Sequence, residues 1–290
     1  MTTKLNLDFI SSLIEKTKTF LFDCDGVLWL GKHQIDGALE TIAMLQKMEK
    51  RLFFISNNAL SRRMYCEKMR ERGFDVSVEQ MISSGFTASQ YFKQNKIDNI
   101  LCLSGPGVPE ELKNQGISFR RAEEFVNQPF DINKIEIDPK IQAVLLAKAD
   151  YYTYYDIAVI SLYLSNPKVL FFATNNDPTF PIGSRFIPGC GSMVSAVEFA
   201  TQRKATILGK PQIHGFTQLK QRHPEIQKEE TLMIGDRLDT DIQFGNSCGI
   251  QTICLLSGVT SEEEIIQCKN PELIPTYYTE TIKDFLDEKN

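Results

Sequence analysis

The chain has 290 residues, a formal charge of −5, and 42% hydrophobic against 24% charged residues, an ordinary globular composition with room for two domains. The acidic balance argues against a sequence-blind nucleic-acid binder, which needs a basic face to displace counterions. No apolar stretch approaches the roughly 18 residues of a membrane span, and the seven scattered cysteines form no C-x-x-C pair. Reduced thiols in a cytoplasmic compartment are expected, with neither nucleic acid nor membrane as a partner.

The opening "MTTKLNLDFISSLIEKTKTF" breaks its apolar residues with Asp8 and Glu15, unlike a secretory leader. The apolar run "TFLFDCDG" (19–26) then ends in two carboxylates one residue apart, Asp23 and Asp25, followed by glycine. Like charges held at one strand end repel. A divalent cation shared with a phosphate would remove the repulsion. A carboxylate is a nucleophile toward phosphorus, and a second one can protonate the leaving oxygen and then activate water. Taken alone, the motif also fits a strand end followed by an Asp-Gly turn. The amphipathic segment "GALETIAMLQKMEK" (37–50) predicts a helix, and "RLFFISNN" (51–58) a second strand. Its tip offers the Ser56 hydroxyl and Asn57 amide to phosphoryl oxygens, or a cap to the helix expected over 61–73 and closed by Gly73.

Residues 59–204 separate that run from the next one of its kind, too many for a single crossover. They carry elements of their own: "NILCLSG" (99–105), "IQAVLLAK" (141–148), the helix-like "YYDIAVISLYLS" (154–165) and "KVLFFATN" (168–175). An α/β domain inserted at 98–203, between core segments 1–97 and 204–290, explains them. The aromatic "YYTYY" (151–155) suits packing or an interface there, and His33, His214 and His223 share no ligand spacing and are expected in surface loops.

Three more apolar runs complete the core: "ATILGKP" (205–211), "TLMIGDRLD" (231–239) and "IQTICLLSG" (250–258). Lys210 stands at a tip where an ammonium can neutralise charge spreading over phosphoryl oxygens. Asp236 adds a third acidic group, with Asp241 five residues later, while Asp239 fits the cap of the next helix and "SEEE" (261–264) a helix start. Continuous hydrophobicity suits strands buried on both faces of a parallel sheet. Alternation of such strands with helices implies an open α/β sheet, with ligands at the carboxyl ends. The polar tips of four runs are therefore expected to converge.

The ordered set D-x-D-G, S-N-N, G-K-P and G-D-x-x-x-x-D resembles the haloacid dehalogenase superfamily of phosphatases. The inserted segments "FFATNNDPTFP" and "IPGCGSMVSAVE" resemble its 4-nitrophenylphosphatase, phosphoglycolate phosphatase and pyridoxal phosphatase group. The resemblance implies a Rossmann-like parallel-sheet core with an inserted α/β cap, and a Mg²⁺-dependent phosphatase acting on small phosphorylated metabolites through an aspartyl-phosphate. Asp23 would be the nucleophile and Asp25 the general acid/base. Mg²⁺ would be held by the Asp23 carboxylate, the Asp25 carbonyl and Asp236, with Asp241 behind them. Ser56, Asn57 and Asn58 would contact phosphate, and Lys210 would steady both phosphate and Asp23. The stretch 26–38 would form a flap, in which Trp29 could equally be core. Phe180 would face the leaving group where relatives acting on pyridoxal phosphate carry histidine, favouring a substrate such as 2-phosphoglycolate. A homodimer through the cap is implied as well. A phospho-aspartate signalling receiver shares the acidic cluster, the hydroxyl and the lysine, but needs neither Asp25 nor an inserted domain.

Overall fold

The computed structural model describes residues 2–125, 131–182 and 185–286. The chain forms two compact units: Met1–Ser56, Cys66–Ile82 and Lys210–Asn290 make one, Asn57–Tyr65 and Ser83–Gly209 the other.

The first unit is built on a sheet whose strands run, across its width, Thr3–Lys4, Tyr277–Thr279, Gln251–Leu255, Thr231–Gly235, Thr19–Phe22, Arg51–Ser56 and Met81–Ser83. Phe20, Leu21, Phe22, Leu232, Met233, Ile234 and Ile253 are fully buried. Parallel strands are joined by helices that cover both faces, so both side-chain rows must be apolar. Thr19–Phe22 pairs in parallel with strands on either side, Phe22 lying opposite both Ile234 and Phe54. Asp23, Ile55–Ser56 and Gly235–Asp236 therefore leave the sheet along one edge.

The second unit holds a five-stranded parallel sheet ordered Thr206–Ile207, Leu170–Ala173, Ala143–Leu146, Asn99–Leu103 and Ser118–Arg121. Its strand residues alternate between two cores. Leu101, Leu103, Val144 and Leu146 pack with Val159, Ile160, Met193 and Val194 of helices Tyr154–Leu164 and Cys190–Thr201. Ile100, Cys102, Ala143 and Leu145 pack with Ala88, Phe92, Val108 and Leu112 of helices Ser84–Gln94 and Gly107–Asn114. The two-residue period of a strand makes this division. An antiparallel hairpin, Thr179–Ile182 with Arg185–Pro188, completes the unit.

Three expectations differ from what is observed. The second unit spans 83–209 and takes in 57–65, rather than 98–203. The helix Ser84–Gln94 is amphipathic in sequence, but only packing reveals that Ala88 and Phe92 belong with Ile97 and Ile100. The run at 205–211 does not join the first unit's sheet. Thr206 and Ile207 pair with Phe172 and Ala173, and the Leu208 and Gly209 N–H groups donate to Ala173 and Thr174 carbonyls at 3.0 and 2.7 Å. Only at Lys210 does the chain re-enter the first unit. Finally, two of the histidines lie in regular elements, His33 on strand His33–Gln34 and His214 at the start of helix His214–Arg222, while His223 follows that helix outside it, 5.2 Å from the Phe53 ring. The acidic "SEEE" does start a helix, Glu262–Gln267, capped by Ser261. Among the described residues no helix is long and apolar enough to cross a membrane.

Candidate active site

At the edge where the first unit's strands end, Asp23 follows the strand Thr19–Phe22, is 9% exposed, and its N–H donates to the Ile234 carbonyl at 2.8 Å. Lys210 Nζ donates to Asp23 Oδ1 at 2.5 Å, to Asp241 Oδ1 at 2.5 Å and to the Ile55 carbonyl at 3.1 Å. These three acceptors match the ammonium's three donors and are brought in by three different strands. Lys210 is 4% exposed. Burial alone would lower its pKa, but the charges of Asp23 and Asp241 outweigh that and hold it above the usual lysine range.

The spacing from Asp236 to Asp241 follows from a wide π-helical turn, Leu238–Ile242, after the strand Thr231–Gly235. The turn folds Asp241 back so that its Oδ2 accepts the N–H groups of Asp236 and Arg237, both at 3.2 Å. Both Asp241 oxygens are thus engaged. Gly235 permits the fold-back, since a Cβ there would stand 2.2 Å from the Asp241 Cβ. Asp239 caps no helix; it lies inside the turn and pairs with Arg237 at 2.9 Å, because the turn widens where a helix start was expected.

Asp236 is 2% exposed; its Oδ2 accepts the Val259 N–H at 2.9 Å, and its Oδ1 is buried without a hydrogen-bond partner. Oxygens of Asp23, Asp236 and Asp241 all lie within 4.8 Å of one another. Burial, reinforced by the Asp241 charge, pushes Asp236 up to about 7. Burial also raises Asp23 well above the carboxylate range, with Lys210 opposing and Asp241 and Asp236 adding to it. Three carboxylates against one ammonium, with a buried oxygen left unbonded, fit a divalent cation seated on Asp23 and Asp236.

Asp25 is half-buried, and its Oδ1 accepts the Trp29 indole N–H at 2.8 Å, with Lys68 Nζ at 3.9 Å. Gly26 makes the tight loop between them with φ +88°, its N–H donating to the Trp29 carbonyl at 2.8 Å. Ser56 is buried next to Ile55. Asn57 and Asn58 belong to the second unit. There the Asn57 amide donates to Asp177 Oδ1 at 3.1 Å, Asn175 Nδ2 donates to the Asn57 carbonyl at 2.8 Å, and Asn58 Oδ1 accepts the Leu60 N–H at 3.1 Å. Capping of the helix Arg62–Arg70 falls to Ser61, whose Oγ accepts the Met64 N–H at 3.2 Å. Phe180 lies on the hairpin opposite Ile187; its side chain is outside the described residues.

Known proteins are similar to this chain over most of its length. The family model of the haloacid dehalogenase-like hydrolases matches residues 20–118, and that of HAD-like hydrolases matches 207–285. The chain is 36% identical over 294 residues to phosphoglycolate phosphatase 1A, chloroplastic, of Arabidopsis thaliana, covering 98% of this chain and 80% of that one. It is 33% identical over 286 residues to the 4-nitrophenylphosphatase of Schizosaccharomyces pombe, covering 93% of each. Among solved structures, a glycerol phosphate phosphatase from Mycobacterium tuberculosis in complex with magnesium superposes with a TM-score of 0.81 at 25% identity, over 94% of this chain and 77% of that one.

The chain belongs to the haloacid dehalogenase-like hydrolases. Within them it stands with the phosphatase group that includes the 4-nitrophenylphosphatases and phosphoglycolate phosphatases, and it is an enzyme, a phosphoric monoester hydrolase. In this hydrolase Asp23, Lys210, Asp236 and Asp241 meet, Asp23 and Asp236 following strands of one sheet and Lys210 following a run that pairs in the other. Sequence reasoning missed the tip of the fifth run. Gly258 lets the backbone close over Asp236, since a Cβ there would stand 2.0 Å from its Oδ2, and Ser257 Oγ donates to the Gly26 carbonyl at 2.9 Å. The signal available was the "SG" ending "IQTICLLSG" in the same way as the other tips. The contacts of Trp29 and Lys68 with Asp25 carried no local signal.

Proposed function

We propose a Mg²⁺-dependent phosphatase of small-metabolite phosphomonoesters, with 2-phosphoglycolate preferred over pyridoxal phosphate. The observation that carries it is Lys210 held between Asp23 and Asp241 at 2.5 Å each beside Asp236, whose buried Oδ1 is unbonded. Asp23 attacks phosphorus as the bond to the leaving oxygen breaks, and Asp25 gives that oxygen its proton. Asp25 then takes a proton from water, which attacks the phosphorus of the aspartyl-phosphate and frees inorganic phosphate and Asp23. Lys210 opposes the protonation of Asp23 that burial favours and steadies phosphoryl charge. Ser56, Asn57 and Asn58 are assigned to the phosphoryl oxygens, and Phe180 to the leaving group. Mg²⁺, held by the Asp23 carboxylate, the Asp25 carbonyl and Asp236, would supply the positive charge that lets one anion attack another; Asp241 supports Lys210 and the turn instead. We place the enzyme in the cytoplasm on its reduced thiols and acidic composition.

Substrate choice is read from kcat/KM for 2-phosphoglycolate and pyridoxal phosphate. Phenylalanine can stack on a pyridine but leaves its polar groups unpaired, which costs about 1–3 kcal/mol in a closed site, so 2-phosphoglycolate should lead by about tenfold. A preference for pyridoxal phosphate would refute the substrate assignment, as would a stable phospho-protein without turnover.

The cation has a signature independent of activity. Asp236 and Asp23 have raised pKa values in the folded protein, so folding favours their protonated forms. Metal-free protein should lose stability as the pH rises from about 4 through about 7, where unfolded carboxylates are already ionised. Mg²⁺ should therefore raise Tm more at pH 8 than at pH 5.5, where it must displace protons. Equal shifts at the two pH values, or none, would argue against this site.

We also propose a homodimer through the inserted unit. Tyr151, just before the helix Tyr154–Leu164, and Tyr154 at its start are 84% and 77% exposed, and aromatic side chains of that kind are enriched in interfaces. Sedimentation at micromolar concentration should give a dimer; a monomer would end the idea.

A further inference from the structure

Trp29 is fully buried, yet its only donor is spent on a half-exposed carboxylate four residues earlier. Buried tryptophans ordinarily find an acceptor for the indole N–H, and a backbone carbonyl would serve packing equally well. Here the acceptor is Asp25. The indole is itself fixed from several sides: Lys68 Nζ lies 4.8 Å and the Arg72 guanidinium 5.1 Å from the ring centroid, and Phe74 meets it edge-on at 6.0 Å. Lys68 Nζ also stands 3.9 Å from the same Asp25 oxygen that accepts the indole N–H. The terminal torsion of an aspartate is broad and roughly two-fold, so an Asp25 on a tight glycine loop would otherwise exchange its two oxygens freely. A single rigid donor removes that freedom.

We propose that Trp29 is the positioning residue for Asp25. Its indole N–H, with Lys68 beside it, holds Oδ1, so that Oδ2 is the oxygen that exchanges protons with the leaving group and with water. The inference rests on the reading of Asp25 as general acid/base and extends it to a residue outside the reacting set.

The test uses two substrates of similar shape that differ in leaving-group basicity, phenyl phosphate and 4-nitrophenyl phosphate. The chain has one tryptophan, so growth on β-(3-benzothienyl)alanine replaces Trp29 alone, keeping the bicyclic volume while deleting the N–H. Trp29→Phe is the genetic counterpart, and the analogue keeps the test alive if that variant does not fold. With the donor gone, kcat/KM for phenyl phosphate should fall about tenfold, in line with a hydrogen bond to a charged group. The value for 4-nitrophenyl phosphate, whose leaving group needs its proton less, should change less than about twofold. A purely structural role would lower both equally. Asp25→Asn is the control and should show the same leaving-group dependence more strongly. If the control shows none, the acid/base reading itself fails. If the control shows it and the Trp29 replacements do not, this inference alone is overturned.

Discussion

Asp23→Asn should reduce turnover by about 10⁴-fold or more, the scale seen when a covalent nucleophile is removed, while the protein remains folded. The amide keeps the shape and an oxygen to accept from Lys210 Nζ, which lies 2.5 Å from Asp23 Oδ1, but it cannot attack phosphorus. The fold should not suffer. Burial works against the Asp23 anion and raises its pKa, so a neutral isostere removes a penalty that the metal-free enzyme carries at pH 8. Phosphate release from 4-nitrophenyl phosphate and calorimetric Tm without metal give the two readings. Turnover within tenfold of the parent in a folded Asp23→Asn protein would overturn the mechanism.

Lys210→Met should do damage of a different kind. Methionine keeps most of the length and the apolar stem but leaves Asp23 and Asp241 buried without their shared cation. Removing one partner of a buried ionic cluster typically costs about 3–5 kcal/mol. The loss should deepen with rising pH. Asp23 already has a raised pKa with Lys210 holding it down, so without Lys210 it takes up protons at higher pH, and the folded state resists ionisation further. Lys210→Arg should not rescue it, because a planar fork cannot reproduce three bonds converging on one nitrogen. Denaturant unfolding at pH 5.5 and pH 8, with kcat on the soluble fraction, reads both effects. An unfolding free energy unchanged at pH 8 would mean that the ammonium does not hold the cluster together.

The positions of Asp23, Asp236 and Asp241 were legible because each depends on short-range pattern, whereas Lys210 follows a run that pairs in the other sheet. An apolar run buried on both faces reads as a parallel strand, and a polar residue at its end falls on the carboxyl edge whichever strands lie beside it. The five-residue spacing of Asp236 and Asp241 is likewise local, one turn returning a side chain to the backbone N–H groups that precede it. Their assignment to phosphate chemistry came from the four motifs in order rather than from any one of them. Other features depended on partners far away in the chain. The segment 205–209 is as apolar as its neighbours, and only its pairing with Phe172 and Ala173 places it in the second sheet. Helix Ser84–Gln94 shows an apolar stripe, but which sheet receives that stripe is settled by Ile100 and Cys102 across the core. Gly258 gains its meaning only when Asp236 is brought against it from 22 positions earlier. Trp29 is a large apolar residue in sequence, and although Asp25 stands only four positions before it, its N–H reaches that carboxylate only through the Gly26 turn. Periodicity and strand-end chemistry belong to residues a few positions apart, whereas the choice among equally apolar partners is made by packing the whole chain at once.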